Sequence, residues 1–224
     1  MNYFKIVLSS DSEEIGIEYP QVQGIFPKQI ANDLDSVYQI SKEKKLPDEQ
    51  IRMNYLLLKE KAILTDFLSS NILPSLYGFL VSERVTKILK RYNLPDHKIL
   101  SSKVKHTSEE LSNYNWIHIL PLSNDYVNYE ASVFRLVNEI NFEKQSLEIT
   151  SKKDYIECFK ETNRPWAIIM DCPVFHKDFL ERKIDVFRIP VAGTHWFFSE
   201  RLINEMKSND ITGMKYVPVG LSPS

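Results

Sequence analysis

Two segments of the chain share one sequence pattern: VSERVTKILK at residues 81–90 and FSERLINEMK at residues 198–207. Ser199 of the second copy lies 117 residues after Ser82 of the first. In both copies an apolar run precedes the Ser, and turn-forming residues followed by another apolar run come after the match. Each copy therefore predicts a strand, a helix, a turn and a second strand, so the fold has to accommodate this arrangement twice.

The Ser of each Ser-Glu-Arg stands where the predicted helix begins. A Ser hydroxyl at this position accepts a hydrogen bond from a free N–H of the first turn and stabilises the helix by about 1 kcal/mol relative to Ala. The Glu that follows lies where the helix dipole favours an anion. Apolar residues then recur at helical spacing in the first copy, namely Val85, Ile88, Leu89 and Tyr92. We interpret Ser82 and Ser199 as structural helix caps.

A catalytic interpretation of the second copy rests on His195, which lies four residues before Ser199. A nucleophilic Ser needs a nearby base. However, the first copy has Gly78 at the position of His195, and the chain contains no G-x-S-x-G segment. The pattern therefore favours the structural role, and a small hydrolase or transferase that uses His195 and Ser199 remains the alternative.

A second candidate group is the segment DCPVFH, which contains Asp171, Cys172 and His176. A zinc site needs three or four ligands, and no second ligand cluster accompanies this one in the sequence. The six glycines form neither a P-loop nor a G-x-G-x-x-G segment. We therefore expect no catalytic, metal or cofactor-binding residue, while an enzyme that uses this group, or a ligand-sensing domain, stays open as an alternative.

The composition is that of a globular protein, with 43% hydrophobic and 26% charged residues among 224. Acidic and basic residues are mixed and the net charge is −2, so neither nucleic acid nor a membrane surface is favoured as a partner. The first residues, MNYFKIVLSSDSEE, lack a signal-peptide pattern, which predicts a cytoplasmic protein. Cys158 and Cys172 are expected to be reduced and buried.

Further strands are predicted by runs rich in branched and aromatic residues: YFKIVL, HKILSSKV, YNWIHILP, VFRLVNEI, RPWAIIMD, KIDVFRIP and MKYVPV. Helices are fewer, one after each Ser-Glu-Arg start and one over residues 152–161. These elements predict an α+β fold with mixed or mainly antiparallel sheets. Residues 1–50 are expected to form a strand and a turn-rich segment packed on a main domain, residues 51–224, whose two halves are similar. The whole would be one globular unit.

Four short segments carry a resemblance when they are taken in order: LTDFL at Leu64–Leu68, VSER at Val81–Arg84, SER at Ser199–Arg201 and GMKYVPV at Gly213–Val219. In this order they resemble a family of predicted immunity proteins of bacterial polymorphic toxin systems, which was long described as a domain of unknown function. The resemblance covers roughly residues 50–219.

This resemblance implies an α+β protein without enzymatic activity that binds and neutralises a cognate protein toxin in the cytoplasm of the producing cell. It brings no catalytic residues to this chain. The identity of the toxin, the interface residues and the oligomeric state are left open at this point.

Overall fold

The structure is a computed structural model that describes residues 2–17, 19–26, 44–47, 55–73 and 77–219. Within these residues the chain forms an α+β fold with three sheets and five helices, and the sheets are mostly antiparallel. The predicted fold class is confirmed. Much of the predicted N-terminal segment, residues 1–50, lies outside the described residues.

The largest sheet has six strands in the order β2-β3-β6-β7-β5-β4. Its strands are β2 Val22–Phe26, β3 Tyr55–Leu58, β4 Phe67–Leu68, β5 Gly78–Ser82, β6 His97–His106 and β7 Glu109–Ile119. Neighbouring strands are antiparallel except for β3 and β6, which are parallel. The short helix α1, Ser12–Ile15, precedes this sheet, and α2, Glu83–Leu89, connects β5 to β6.

The other two sheets are antiparallel, with the orders β11-β12-β1-β13 and β10-β8-β9. Their strands are β1 Tyr3–Leu8, β8 Val133–Asn138, β9 Lys144–Leu147, β10 Trp166–Cys172, β11 Val186–Phe187, β12 Trp196–Ser199 and β13 Met214–Val219. The remaining helices are α3 Lys152–Glu161, α4 Lys177–Glu181 and α5 Glu200–Ser208.

The two Ser-Glu-Arg copies lie in sheets with the same arrangement of strands. In the first copy the order is β4-β5-β7-β6, and in the second it is β11-β12-β1-β13. In both copies the strand before the helix pairs on one side with a two-residue strand. On its other side it pairs with a third strand, and this third strand pairs in turn with the strand that follows the helix. The strand between them is β7 in the first copy and β1 in the second. The N-terminal strand is therefore an internal strand of the second copy's sheet.

Both copies contribute to one central core. Phe79 of β5 and Trp196 of β12 occupy equivalent positions and lie in contact, with ring centroids 4.5 Å apart. The apolar faces of α2 and α5 pack into the same core. Since successive side chains of a strand point to opposite faces, Leu80 and Phe197 leave this core and each enters a separate one.

Most predicted elements are confirmed, including the three helices. KIDVFRIP contains the predicted strand, but the strand is only the two-residue β11, because Pro190 begins a 3₁₀ turn shortly after it and the residues before it turn toward the other half. The expected burial of both cysteines is wrong. Cys172 is exposed and Cys158 is half-buried, and both are free thiols. Cys172 ends an edge strand, β10, so one side of it faces solvent.

None of the described helices is sufficiently long and apolar to cross a lipid bilayer.

Candidate functional site

The Ser199 hydroxyl takes part in hydrogen bonds both as acceptor and as donor. Its Oγ accepts the Leu202 N–H at 3.3 Å, which is the helix-capping bond, and donates to Asp185 Oδ1 at 2.5 Å. Asp185 is fully buried just before β11, and its carboxylate also accepts two hydrogen bonds from the Arg201 guanidinium. The sequence motif therefore forms a Ser–Asp–Arg cluster at the start of α5.

The first copy contains the same cluster at the start of α2. Ser82 Oγ accepts the Val85 N–H at 3.3 Å and donates to Asp66 Oδ1 at 2.6 Å. Arg84 approaches the same carboxylate, with 3.6 Å between its Nη1 and Asp66 Oδ2. The arginine contact is looser here than in the second copy. Asp66 and Asp185 were not singled out from the sequence, although each lies in an apolar run before its Ser-Glu-Arg.

Each carboxylate also binds the turn that follows the helix of the other copy. Asp66 Oδ2 accepts the Thr212 N–H at 3.2 Å, beyond α5, and Asp185 Oδ2 accepts the Asn93 N–H at 2.8 Å, beyond α2. The two clusters thus connect the halves of the molecule reciprocally. These hydrogen bonds give the Ser, Asp and Arg side chains of both clusters a structural role.

A tyrosine completes each cluster. Tyr3 Oη donates to the Ile184 carbonyl and Tyr114 Oη donates to the Thr65 carbonyl, both at 2.9 Å. Burial is the larger cause and the carboxylate of the same cluster is the second, and together they raise the pKa of both hydroxyls to about 12. Both tyrosines therefore remain protonated hydrogen-bond donors at neutral pH.

His195 and Ser199 are not brought together as a base and a nucleophile. His195 directly precedes β12 and Ser199 ends it, so four residues of extended chain, about 13 Å, separate them. Within the described residues the His195 ring forms no hydrogen bond with a protein group. Burial, with smaller effects of Lys5 and Arg188, lowers the pKa of His195 to about 4, so its ring is neutral at pH 7.

The residues of the DCPVFH segment serve separate local roles. Asp171 Oδ2 accepts a hydrogen bond from Arg135 Nε at 2.7 Å, Cys172 ends β10, and His176 is the residue before α4. Among the described residues, no three His, Cys, Asp or Glu side chains are grouped so that they could hold a metal ion. The structure thus does not assemble this segment into a metal centre.

The three most exposed large apolar side chains of the described residues lie in the β8–β9 turn and in α3, the helix that precedes β10 of the same sheet. In the described residues, Ile140 and Phe142 in the β8–β9 turn are 77% and 76% exposed, and Phe159 on the last turn of α3 is 61% exposed. The Glu139 N–H donates to the Pro165 carbonyl at 2.8 Å, which ties the β8–β9 turn to the segment after α3. We call Ile140, Phe142 and Phe159 the hairpin-end surface.

The β8–β9 turn is held in a defined shape. Asn138 Oδ1 accepts the Ile140 N–H at 2.9 Å, and the Asn138 carbonyl accepts the Phe142 N–H at 2.9 Å. Asn141 Oδ1 accepts the Glu143 N–H at 3.0 Å. These bonds leave the two apolar side chains of the turn projecting from an ordered backbone.

Phe142 adopts φ +59°, the left-handed region that favours Gly or Asn. Hairpin turns of this kind usually carry Gly at this position. A bulky aromatic residue there costs about 1 kcal/mol, and its exposed ring recovers little of this cost by burial. The sequence contained a signal for these exposed residues, since the polar turn EINFE includes two large apolar residues. The register of the hairpin was needed to show that Phe142 occupies the position with positive φ.

Phe159 is oriented by the aromatic residue one turn before it. Its ring stacks on Tyr155 at a centroid distance of 6.0 Å, and Tyr155 in turn packs on Phe134 and Tyr129 of the core. The exposed ring is therefore supported from below by a chain of aromatic contacts. The arrangement can provide apolar contacts to a protein partner without a large rearrangement.

Comparisons with known proteins give no further identification: no family model matches the chain, and no curated protein matches it either.

Proposed function

We propose that this chain is an immunity protein that binds a cognate protein toxin through the hairpin-end surface and neutralises it in the cytoplasm of the producing cell, without catalysis. The class of partner comes from the resemblance of the four ordered sequence segments. The surface comes from the structure. The observation that carries the proposal is Phe142, an exposed aromatic residue in a backbone conformation that disfavours it.

An exposed Phe at positive φ contributes little to the stability of the free protein. Strained residues persist where the surrounding structure enforces them, and they concentrate at binding and active sites. Exposed aromatic side chains are also the residues that most often anchor protein interfaces. The stability cost at Phe142 is therefore explained if its ring is buried by a partner.

The shape and charge of the turn indicate how a partner would contact it. A stable complex buries about 1,200–2,000 Å² in total, with a few central anchors. Ile140 and Phe142 project as such anchors from a narrow hairpin, and Glu139 and Glu143 flank them in the sequence. A cleft with an apolar floor and a cationic rim would match this turn, and such a cleft is the active site of many enzymes that act on anionic substrates.

The test compares three tagged forms of the protein in cells that express its neighbouring genes. One is the natural chain, one carries Ile140→Asn with Phe142→Asn, and the matched control carries Ile63→Asn with Leu64→Asn. The control residues are also exposed apolar side chains, at 49% and 43%, but they lie in a different loop. Proteins retained by each form are identified by mass spectrometry, then purified and expressed alone.

We expect a polypeptide that the natural chain and the control retain and that the double hairpin variant loses at least tenfold. Its expression alone should arrest growth, and co-expression of the natural chain or the control should restore growth. The proposal is wrong if the retained polypeptide is harmless. The assigned surface is wrong if the hairpin variant protects cells as well as the natural chain does.

A further inference from the structure

A cavity of about 340 Å³ opens at the end of β1 and the start of β12. Its buried lining residues are apolar and include Ile6, Phe79 and Trp196, whereas the polar lining residues Ser10 and Thr194 are exposed. This volume is at the lower end of the range for small-molecule sites. The combination of an aromatic wall and a polar opening suits a small amphipathic molecule.

His195 lies between this cavity and a second one of about 130 Å³, and it lines both. Lys5 and Asp171 line the second cavity. Asp171 already accepts a hydrogen bond from Arg135 at 2.7 Å, so its charge is balanced. Since the His195 ring forms no hydrogen bond within the described residues, its nitrogens can bind a molecule in either cavity.

Arg188 provides an independent indication of the ligand's charge. It directly follows β11, whose Phe187 pairs with Phe197, the neighbour of Trp196 in β12. Arg188 itself is not among the residues that line either cavity. Arg188 is only 7% exposed, its Nε is buried without a hydrogen-bond partner, and no described carboxylate pairs with its guanidinium. Removing part of a cation from water without a paired anion is unfavourable. An anion near the cavity would offset that cost.

The two charged side chains that act on the pKa of His195 are both cations. Lys5 and Arg188 both disfavour its protonated form, after the larger effect of burial, and burial also lowers the pKa of each of these two cations. Three basic side chains therefore approach one region, and Asp171 is the acidic residue that acts on Lys5. The local field favours an anion.

We infer that this cavity binds a small amphipathic monoanion of the carboxylate class, with its apolar part against Phe79 and Trp196 and its anionic group directed toward His195 and Arg188. Burial of one aromatic ring supplies the apolar contribution, and the charged group supplies the preference over a neutral molecule of the same shape. The site is separate from the hairpin-end surface, and the inference does not depend on the proposed toxin.

The test uses purified protein with two probes of the same shape, 2-naphthoate and neutral 2-naphthamide, measured by titration calorimetry at neutral pH. We expect 2-naphthoate to bind at one site and 2-naphthamide to bind at least tenfold more weakly. Val7→Trp places a large side chain at the cavity, where Val7 is already exposed, and should abolish binding of both probes. Val133→Trp is the matched control, because Val133 is similarly exposed and lines neither cavity.

Arg188→Met separates the charge from the shape of the site. It should reduce 2-naphthoate binding to the level of 2-naphthamide and leave the amide unchanged. Thermal unfolding of every variant shows whether it is folded, and Val7→Trp decides the location if Arg188→Met does not fold. The inference fails if neither probe binds, if both bind equally to the natural chain, or if Val7→Trp binds as well as Val133→Trp.

Discussion

At the scale of single residues, the same side-chain type has different roles that depend on its surroundings. Ser82 and Ser199 have the nucleophilic hydroxyl that a hydrolase would require, yet both hydroxyls bind a buried carboxylate and a helix N–H. Phe142 is an aromatic residue that contributes little to any core. Because its backbone conformation is unfavourable and its ring is exposed, its effect on the stability of the protein can be measured separately from its effect on binding.

Phe142→Asn should stabilise the free protein by about 1 kcal/mol, because Asn tolerates the left-handed backbone that this position requires. Urea denaturation of the purified variant measures the free energy of unfolding. Phe142→Ala is the control, since it removes the ring but keeps a residue that disfavours positive φ, and it should give no such gain. A Phe142→Asn variant that is less stable than the natural chain would show that the ring contributes to folding.

At the scale of elements, the start of each Ser-Glu-Arg helix is joined to the opposite half of the molecule. Asp185 binds Ser199 and Arg201 at the start of α5 and also the Asn93 N–H after α2. Asp66 makes the equivalent bonds for the first copy. Each carboxylate therefore connects three elements, which a helix cap alone would not do.

Asp185→Asn should lower the free energy of unfolding by about 2–4 kcal/mol, because it removes charge-assisted hydrogen bonds from a buried position. Asp66→Asn should cost less, since Arg84 makes only one contact of 3.6 Å with Asp66, whereas Arg201 donates two hydrogen bonds to Asp185. Both losses are measured by urea denaturation. Asp125→Asn, in an exposed ion pair with Lys152, is the control and should have a much smaller effect. Equal losses for all three variants would contradict the structural role of the clusters.

At the scale of the whole molecule, the two copies differ in the order in which the chain passes through them. In the first copy the chain enters β7 directly after β6, whereas in the second the corresponding strand, β1, comes from the other end of the described chain. Tyr3 of β1 lies opposite Val219 of β13, so a short connection could join them as a hairpin. The second copy is thus a circularly permuted form of the first.

A circular permutant in which residues 10–219 are followed by Asn-Gly and then residues 2–9 should fold with the same sheets. Its free energy of unfolding should lie within about 2 kcal/mol of the natural chain, because only loop closure changes. Circular dichroism and urea denaturation measure the outcome. Residues 10–219 without β1 are the control and should not fold, since Tyr3 and Ile6 belong to two cores. A permutant as unstable as this deletion would show that β1 cannot be supplied from the other end.

The repeated Ser-Glu-Arg segments allowed the helix starts and the α+β class to be predicted, because capping and side-chain periodicity are local properties of the sequence. The predicted role of Ser82 and Ser199 as caps agrees with the bonds that they form. The length of β11 was not predictable from the sequence. Asp185, the residue before this strand, binds Asn93, and a contact between residues so distant in sequence is visible only in the structure.

The tertiary structure alone decided which residues meet. Asp66 and Asp185 became part of the clusters because sheet pairing brings each beside its Ser. β1 took the place of a β7-like strand because it pairs with β12 and β13, which lie at the other end of the described chain. The candidate surface depended on the register that gives Phe142 a positive φ and leaves its ring exposed. Local sequence determined the elements of this protein, whereas contacts between distant residues determined its cores, its cavities and its exposed apolar surface, because those contacts form only when separate elements pack together.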